Sequence, residues 1–278
     1  MQSSILVRYS EIGIKGKNRP FFEKALVHNI KDCLGKNKLA YNKVNRYRGR
    51  IIVFIDHAEK AANFLKNVFG IASLSPAEEV DADIEVLKTK TLEFALEKGL
   101  NKNNTFRITS KRLNKLFPYE SIKLNEIIGA FIQEKTSAKV CLEKSDINIR
   151  LEVIDKKAYV FCQKIEAHAG LPVGTEGKVA CLIENRADVL AAILMMKHGC
   201  EPVIVNNKNI DIDLIKKFCY GFELKNVKNI EDDTAGVVVV GQTLKDYKKI
   251  KTEKLVLRPL VAYTDREVED LYKHYNDF

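Results

Sequence analysis

Apolar and polar positions alternate in blocks along this chain, and the blocks predict an order of elements. Ile5 to Tyr9 reads as a strand. Pro20 opens a helix with the face Phe22, Leu26, Asn29, Ile30 and Cys33, and Asn18 stands where an N-cap is expected. Tyr41 to Tyr47, a turn at Arg48-Gly49-Arg50 and the apolar run Ile51 to Ile55 follow, then a helix from about Ala58 to Phe69 and a short strand near Ile71 to Leu74. The order β-α-β-β-α-β predicts a ferredoxin-like unit. Beyond it the pattern predicts a helix near Ile84 to Glu97, a strand Thr105 to Thr109, a helix from Ser121 carrying Ile122, Ile127, Ile128, Phe131 and Ile132, and strands at 147–153 and 158–165. Gly170-Leu-Pro-Val-Gly-Thr-Glu-Gly177 has the glycine and proline density of an inter-domain connection. From Val179 the apolar runs Val179 to Ile183, Pro202 to Val205, Gly236 to Val240 and Leu255 to Leu257 alternate with helical segments, which predicts a small parallel α/β sheet.

Charge changes this picture by singling out one end. The net charge is +9, and residues 1–75 hold 14 Lys and Arg against 5 Asp and Glu, whereas 171–278 hold 16 against 17. An excess confined to one compact segment points to a polyanion, nucleic acid rather than a membrane, with a solvated basic surface as the plain alternative. No stretch is apolar enough to cross a bilayer, and Met1-Gln2-Ser3-Ser4 leads into a strand rather than a signal sequence, so a cytoplasmic protein is expected. The 6 cysteines include no Cys-x-x-Cys pair and the 5 histidines have no paired helical spacing, so neither disulfides nor a metal are expected.

One segment has the form of a nucleotide site without its glycines. Lys178 to Ile183 reads as a buried strand, Glu184-Asn185-Arg186-Ala187-Asp188 as a turn, and Val189 onward as an apolar helix. A phosphate at such a junction needs backbone N–H groups and small residues, yet Glu184 and Asp188 bring carboxylates. Arg186 offers a compensating guanidinium, which leaves Mg-ATP binding open.

Three separated motifs and a fourth near the end carry a family resemblance. They are Val7-Arg8-Tyr9-Ser10-Glu11-Ile12-Gly13-Ile14-Lys15-Gly16-Lys17-Asn18-Arg19 with Phe21-Phe22-Glu23, the run Arg107 to Phe117, Gly170 to Lys178, and Arg258-Pro259-Leu260. The chain resembles the tRNA 4-thiouridine synthase (ThiI) family over essentially its whole length. The resemblance implies a ferredoxin-like domain at 1–75, a THUMP RNA-binding domain at 76–170 and a shortened PP-loop ATP-pyrophosphatase-like domain at 171–278. It also implies tRNA as partner, bound by the first two domains at the acceptor stem and CCA end, a homodimer, Mg-ATP as cofactor, and a mechanism in which uridine is adenylated before cysteine-borne sulfur displaces AMP. Against the family's Ser-Gly-Gly-x-Asp-Ser, the chain has Glu184, Asn185 and Arg186 in place of Ser-Gly-Gly, and Asp188 falls on the final serine of a loop one residue short. Set against the family, the region between Val205 and Val237 reads as shortened, and the expectation from a sequence ending at Phe278 is that the family's persulfide-cysteine segment and a rhodanese domain are missing.

The expected RNA-binding cations are Lys15, Lys17, Arg19, Arg46, Arg48 and Arg50 in the basic segment and Lys111, Arg112 and Lys115 before Phe117-Pro118. Tyr9, Tyr47 and Phe117 offer either stacking surface or packing. Cys219 follows Lys216-Lys217, which would lower its pKa if it were exposed; Cys181 and Cys200 lie where burial is expected. The expectation is a tRNA-binding protein with a degenerate thiolation site. The alternatives are an active tRNA sulfurtransferase with a variant loop and a structural subunit of a tRNA-modifying complex, and a separate sulfur-donor or catalytic protein would supply what the chain lacks.

Overall fold

The computed structural model describes residues 2–47, 49–113, 115–206, 208–232 and 234–278. The chain folds into two interleaved compact units. The first comprises the chain up to Arg8, Ala40–Ala62 and Leu74–Ile165; the second comprises Tyr9–Leu39, Asn63–Ser73 and Glu166–Phe278.

The opening elements are β1 (Gln2–Arg8), α1 (Arg19–Lys36), β2 (Lys43–Tyr47), β3 (Arg50–Phe54), α2 (Ala58–Leu65) and β4 (Ser73–Asp81), in the order read from the sequence. β4 runs well past the predicted Leu74. Then come α3 (Ile84–Glu97), β5 (Thr105–Arg112), α4 (Ser121–Thr136), β6 (Lys139–Val140), β7 (Ile147–Ile154), β8 (Lys157–Phe161) and the two-residue β9 (Ile165–Glu166). In the first unit the strands lie in the order β2-β3-β1-β4-β8-β7-β5-β6. The first four positions have the 2-3-1-4 arrangement of a ferredoxin-like sheet, with β3 antiparallel to both β1 and β2.

Period-2 alternation explains which side of β5 and β7 is covered. Phe106, Ile108, Ile149, Leu151 and Val153 pack with Leu87 and Phe94 of α3 and Leu124, Ile128 and Ile132 of α4. Each such buried side chain contributes about 1.5–3 kcal/mol. Asp83 caps α3 by accepting from the amides of Glu85 and Val86 at 3.0 and 3.1 Å. The alternate residues Asn148, Arg150 and Glu152 of β7 are polar. Glu152, only 8% exposed at its side chain, accepts from Nε of Arg8 and Nε of Arg50, each at 2.7 Å, and Arg8 also donates to Ser75 Oγ at 3.0 Å.

The second unit contains β10 (Lys178–Leu182), α5 (Arg186–Lys197), β11 (Glu201–Val205), α6 (Asp213–Lys216), β12 (Lys225–Val227), β13 (Val237–Val239), β14 (Leu255–Leu257) and α7 (Asp265–Asp277). Its strands are all parallel, in the order β12-β11-β10-β13-β14. The sequence pattern does not predict β12, because Lys-Asn-Val at a sheet edge has no apolar run. The core joins Val189, Leu190, Ile193 and Met196 of α5 to Cys181, Ile204 and Val239.

Helix α1 belongs to this second unit, and its polar side chains say why. Asn29 Nδ2 donates to the Val173 carbonyl at 3.1 Å, Lys36 Nζ to the Cys219 carbonyl at 2.9 Å, and Asp32 accepts from the Gly221 amide at 2.7 Å. Asn18 precedes α1 but makes no side-chain cap; it already has right-handed helical backbone at the end of a 3-10 turn. The Gly170–Gly177 segment is a clasp within this unit. Leu171 N donates to the Lys197 carbonyl, and Gly174, Thr175 and Glu176 N to the Gly199 carbonyl. These bonds satisfy carbonyls at the end of α5 that the helix leaves unpaired. Gly170 has φ +78° and sits so close to Lys197 O that a Cβ would lie 2.2 Å from it, which is why the motif needs glycine there.

Candidate nucleic-acid interface and nucleotide turn

The nine cations expected to meet RNA have different fates. Lys17, Arg46, Lys111 and Lys115 are exposed. Lys111 and Arg112 end β5, whose last turn is tied to the start of α4: Ser110 N donates to Asn125 Oδ1 at 2.8 Å, and Arg112 N to Ser121 Oγ at 3.2 Å. Arg112 is half-buried and its guanidinium donates to the Phe117 carbonyl at 2.8 Å, so it shapes the segment that carries Lys115. Arg46 lies on the edge strand β2, six strand positions from β5, and is not brought to Lys111.

The others are engaged in the fold. Lys15 pairs with Glu176 at 3.3 Å and lies over the Phe22 ring; Arg19 donates to the Gly13 carbonyl. Glu11 accepts from the Gly170 amide at 3.1 Å, so two motifs far apart in sequence meet in the second unit. Arg50 is buried on Glu152. Arg48 lies outside the described residues. Phe117 is core, 5.9 Å centroid to centroid from Tyr119, and the Tyr9 hydroxyl donates to Glu23.

The sequence reading does not single out a row of polar residues on the β5–β7 face opposite the helices. Arg107 pairs in register with Asn148, and Thr109 with Arg150. Arg107 donates to the Leu142 carbonyl at 2.8 Å, and Asn148 joins the row: its side-chain nitrogen donates to Thr109 Oγ1 at 2.9 Å and its oxygen accepts from Arg107 at 2.8 Å and Arg150 at 3.1 Å. The signal is the alternation itself: within each strand the residues between the core positions are cationic or hydrogen-bonding.

In the parallel sheet, β11 and β12 lie on one side of β10 and β13 and β14 on the other. The chain therefore reverses direction of growth between β10 and β13, and ligands of such sheets bind at the carboxyl ends of the strands at that point. The turn Glu184 to Asp188 sits there. Asn185 caps α5, its Oδ1 accepting from Ala187 N at 2.8 Å and Asp188 N at 3.2 Å. Asp188, 5% exposed, closes the capping box: Oδ2 accepts from Glu184 N and Asn185 N at 3.0 and 3.1 Å, and Oδ1 from Gly241 N at 2.6 Å. Burial pushes the Asp188 carboxyl above the usual carboxylate range, and the three backbone donors offset this only in part.

Five backbone amides at the crevice thus point at side chains of the protein itself. Glu184 pairs with Lys208 at 3.2 Å, and the Arg186 guanidinium lies over the Tyr272 ring, 5.8 Å from its centroid. Two clefts of this unit, of about 340 and 320 Å³, are lined respectively by residues around Thr243 and Tyr263 and by residues around Met195 and Arg258, and neither includes the turn. Among the described residues no cluster of His, Cys, Asp and Glu could hold a metal ion.

Burial raises the thiols of five cysteines. Cys219 is buried despite its neighbouring lysines, and burial pushes its thiol up to about 12, as it does Cys33; Cys162 is raised to about 11. Burial also raises Cys181 and Cys200. The sulfur-carrier candidacy of Cys219 depends on an exposure that it lacks.

The ThiI ferredoxin-like domain model matches residues 4–75, and the THUMP domain model matches residues 81–163. PH1313 of Pyrococcus horikoshii, a solved structure, superposes with a TM-score of 0.85 at 31% identity, covering 99% of each chain. A probable tRNA sulfurtransferase of Thermococcus kodakarensis is 39% identical over 211 residues. The chain belongs to the tRNA 4-thiouridine synthase (ThiI) family. That Thermococcus match takes in 74% of this chain and 55% of the relative, and a probable tRNA sulfurtransferase of Methanocaldococcus jannaschii matches at 37% over 73% and 55%. The chain spans about half the length of the curated relatives it matches. A 4-thiouridine synthetase solved with RNA and bound ATP superposes at a TM-score of 0.78 and 26% identity, over 99% of this chain and 85% of that one. The fold is therefore the family's mixed α/β and α+β arrangement, with a ferredoxin-like domain, a THUMP domain and a parallel-sheet domain. Among the described residues no helix is long and apolar enough to cross a membrane.

Proposed function

We propose that this chain binds tRNA at its acceptor stem and CCA end through the ferredoxin-like and THUMP modules, and that its ATP-dependent thiolation site is degenerate. The matches over 4–75 and 81–163 support the modular division 1–75, 76–170 and 171–278 and the RNA-binding reading. The exposed cations Lys17, Arg46, Lys111 and Lys115 supply phosphate contacts; Lys15, Arg50 and Arg112 are engaged in bonds within the fold. One observation carries the second half of the proposal: the amides of Glu184, Asn185, Ala187, Asp188 and Gly241 bond to Asn185 and Asp188. A pyrophosphate would have to displace the Asp188 carboxylate from three of them and the Asn185 amide oxygen from the other two. A homodimer, or a partner that supplies sulfur or catalysis, fits this reading.

An active sulfurtransferase with a variant loop is the second reading. It is favoured by the likeness to the synthetase solved with RNA and ATP, and it requires Arg186 to leave Tyr272 for a phosphate.

RNA binding is tested by removing two exposed charges. Lys111→Ala with Lys115→Ala should lower affinity for a tRNA transcript severalfold near physiological salt. It should also flatten the plot of log K against log salt by about 1.5, because two phosphates are no longer neutralised. Arg112 is left intact because it holds the Phe117 carbonyl. An unchanged slope would remove this surface from the interface.

A further inference from the structure

The segment joining β13 to β14 is a lysine-rich loop that the charge balance of the whole domain conceals. Residues 242–254 carry five lysines, Lys245, Lys248, Lys249, Lys251 and Lys254, against Asp246 and Glu253. The loop leaves the sheet at the carboxyl end of β13, directly after the Gly241 amide that binds Asp188.

Its path is fixed at both ends. Thr243 donates through N and Oγ1 to Asp246 at 2.6 and 2.7 Å, and Leu244 N donates to the Val261 carbonyl at 3.0 Å. Arg258, just past β14, donates to Gln242 Oε1 at 3.0 Å and to the Lys248 carbonyl at 3.1 Å, and lies 4.5 Å over the Tyr247 ring. At the far end Lys254 Nζ donates to the Ile230 carbonyl and Thr252 Oγ1 to Glu231, at 2.6 and 2.9 Å. Lys245 pairs with Asp265. Between these anchors Lys248, Lys249 and Lys251 are exposed with no ion-pair partner among the described residues, and Leu244 and Tyr247 are 74% and 57% exposed.

A held aromatic ring backed by a guanidinium and flanked by three exposed ammonium groups is the chemistry that meets an unpaired nucleotide: the base stacks on the ring while the cations take the neighbouring phosphates. The geometry points to the 242–254 loop as an RNA contact of the parallel-sheet unit, with Tyr247 the stacking platform and Lys248, Lys249 and Lys251 the phosphate contacts. This rests on the RNA-binding reading above and adds a surface to it. It also gives Arg258 a task in this chain, that of holding the platform.

The test uses the full chain and a fluorescent, unmodified tRNA transcript titrated at several salt concentrations. Lys248→Ala with Lys249→Ala and Lys251→Ala should reduce the salt slope by about 2, since three phosphates of a single strand keep their counterions. Tyr247→Ala should weaken binding about tenfold and Tyr247→Phe should restore it, since both keep the exposed position but only Phe keeps the ring. If the triple variant keeps the wild-type slope while Lys111→Ala with Lys115→Ala loses affinity, the loop inference fails and the RNA-binding reading stands. If the wild-type chain binds no tRNA, both fail. If the triple variant loses binding to phosphatidylserine vesicles but not to tRNA, the loop faces a membrane and the inference is overturned.

Discussion

Glu152→Ala should destabilise the first unit by about 3–5 kcal/mol, the cost of leaving buried charges without their partner. Glu152 holds both Arg8 and Arg50 at 2.7 Å, with side chains 12% and 11% exposed. Removing the carboxylate strands two guanidiniums together in a site closed by β1, β3 and β7, and a domain with about 5–15 kcal/mol of total stability loses a large part of it. The same triad sets a pH dependence. Burial alone pushes the Glu152 carboxyl up, but Arg8 and Arg50 more than offset it and hold the carboxyl below its ordinary 4.5. Burial lowers the Arg8 guanidinium from its ordinary value, yet it stays cationic over the acid range in question, so the carboxylate sets the sign. A depressed acid contributes stability above its unfolded value and loses it as pH falls through the folded one. Urea melts should show that contribution intact at neutral pH and declining below about 4.5. Glu152→Gln should flatten that acid limb; a variant with wild-type midpoint and wild-type acid limb would show that the triad contributes nothing.

The second large effect is expected at Gly241. A Cβ built there would lie 2.2 Å from the Ala187 carbonyl carbon, 2.4 Å from its oxygen and 2.5 Å from Asp188 N. All three are backbone atoms of the first turn of α5, so no rotamer change relieves the overlap. Gly241→Ala must push α5 from β13 and break the 2.6 Å bond from Gly241 N to Asp188. The cost should reach about 3 kcal/mol, the upper end for overpacking. Gly236→Ala, where nothing lies within 4 Å and φ is not positive, should stay within about 0.5 kcal/mol. Equal thermal midpoints for the two variants would mean that the close approach of these turns does not matter.

How much of this is legible in the sequence differs between elements. The β-α-β-β-α-β order and the four apolar runs from Val179 are readable because a half-buried strand alternates and a doubly covered strand does not. β12 is not, since an edge strand needs no apolar run. The placement of α1 depends on Asn29, Asp32 and Lys36 meeting backbone almost 150 to 190 positions away, and no local period records such bonds. At the candidate sites, sequence separates small from charged residues in the 184–188 turn, but no local pattern records that Asp188 accepts from the Glu184, Asn185 and Gly241 amides. It offers Arg50 as a surface cation because a charged residue after a turn is usually exposed; only the partner Glu152, 102 residues away, turns it inward. Lys248 to Lys251 are visible throughout, but acidic α7 cancels them in any count over the whole domain.

We propose that this family member recognises tRNA while its own side chains close the nucleotide crevice. Calorimetric titration of the full chain with Mg-ATP, alone and then with tRNA bound, tests it most directly. No heat above dilution is expected at millimolar ATP in either case, with tRNA binding undiminished. Saturable ATP binding at submillimolar concentration, with or without tRNA, would contradict it and make Glu184 to Asp188 a working variant of the family's loop.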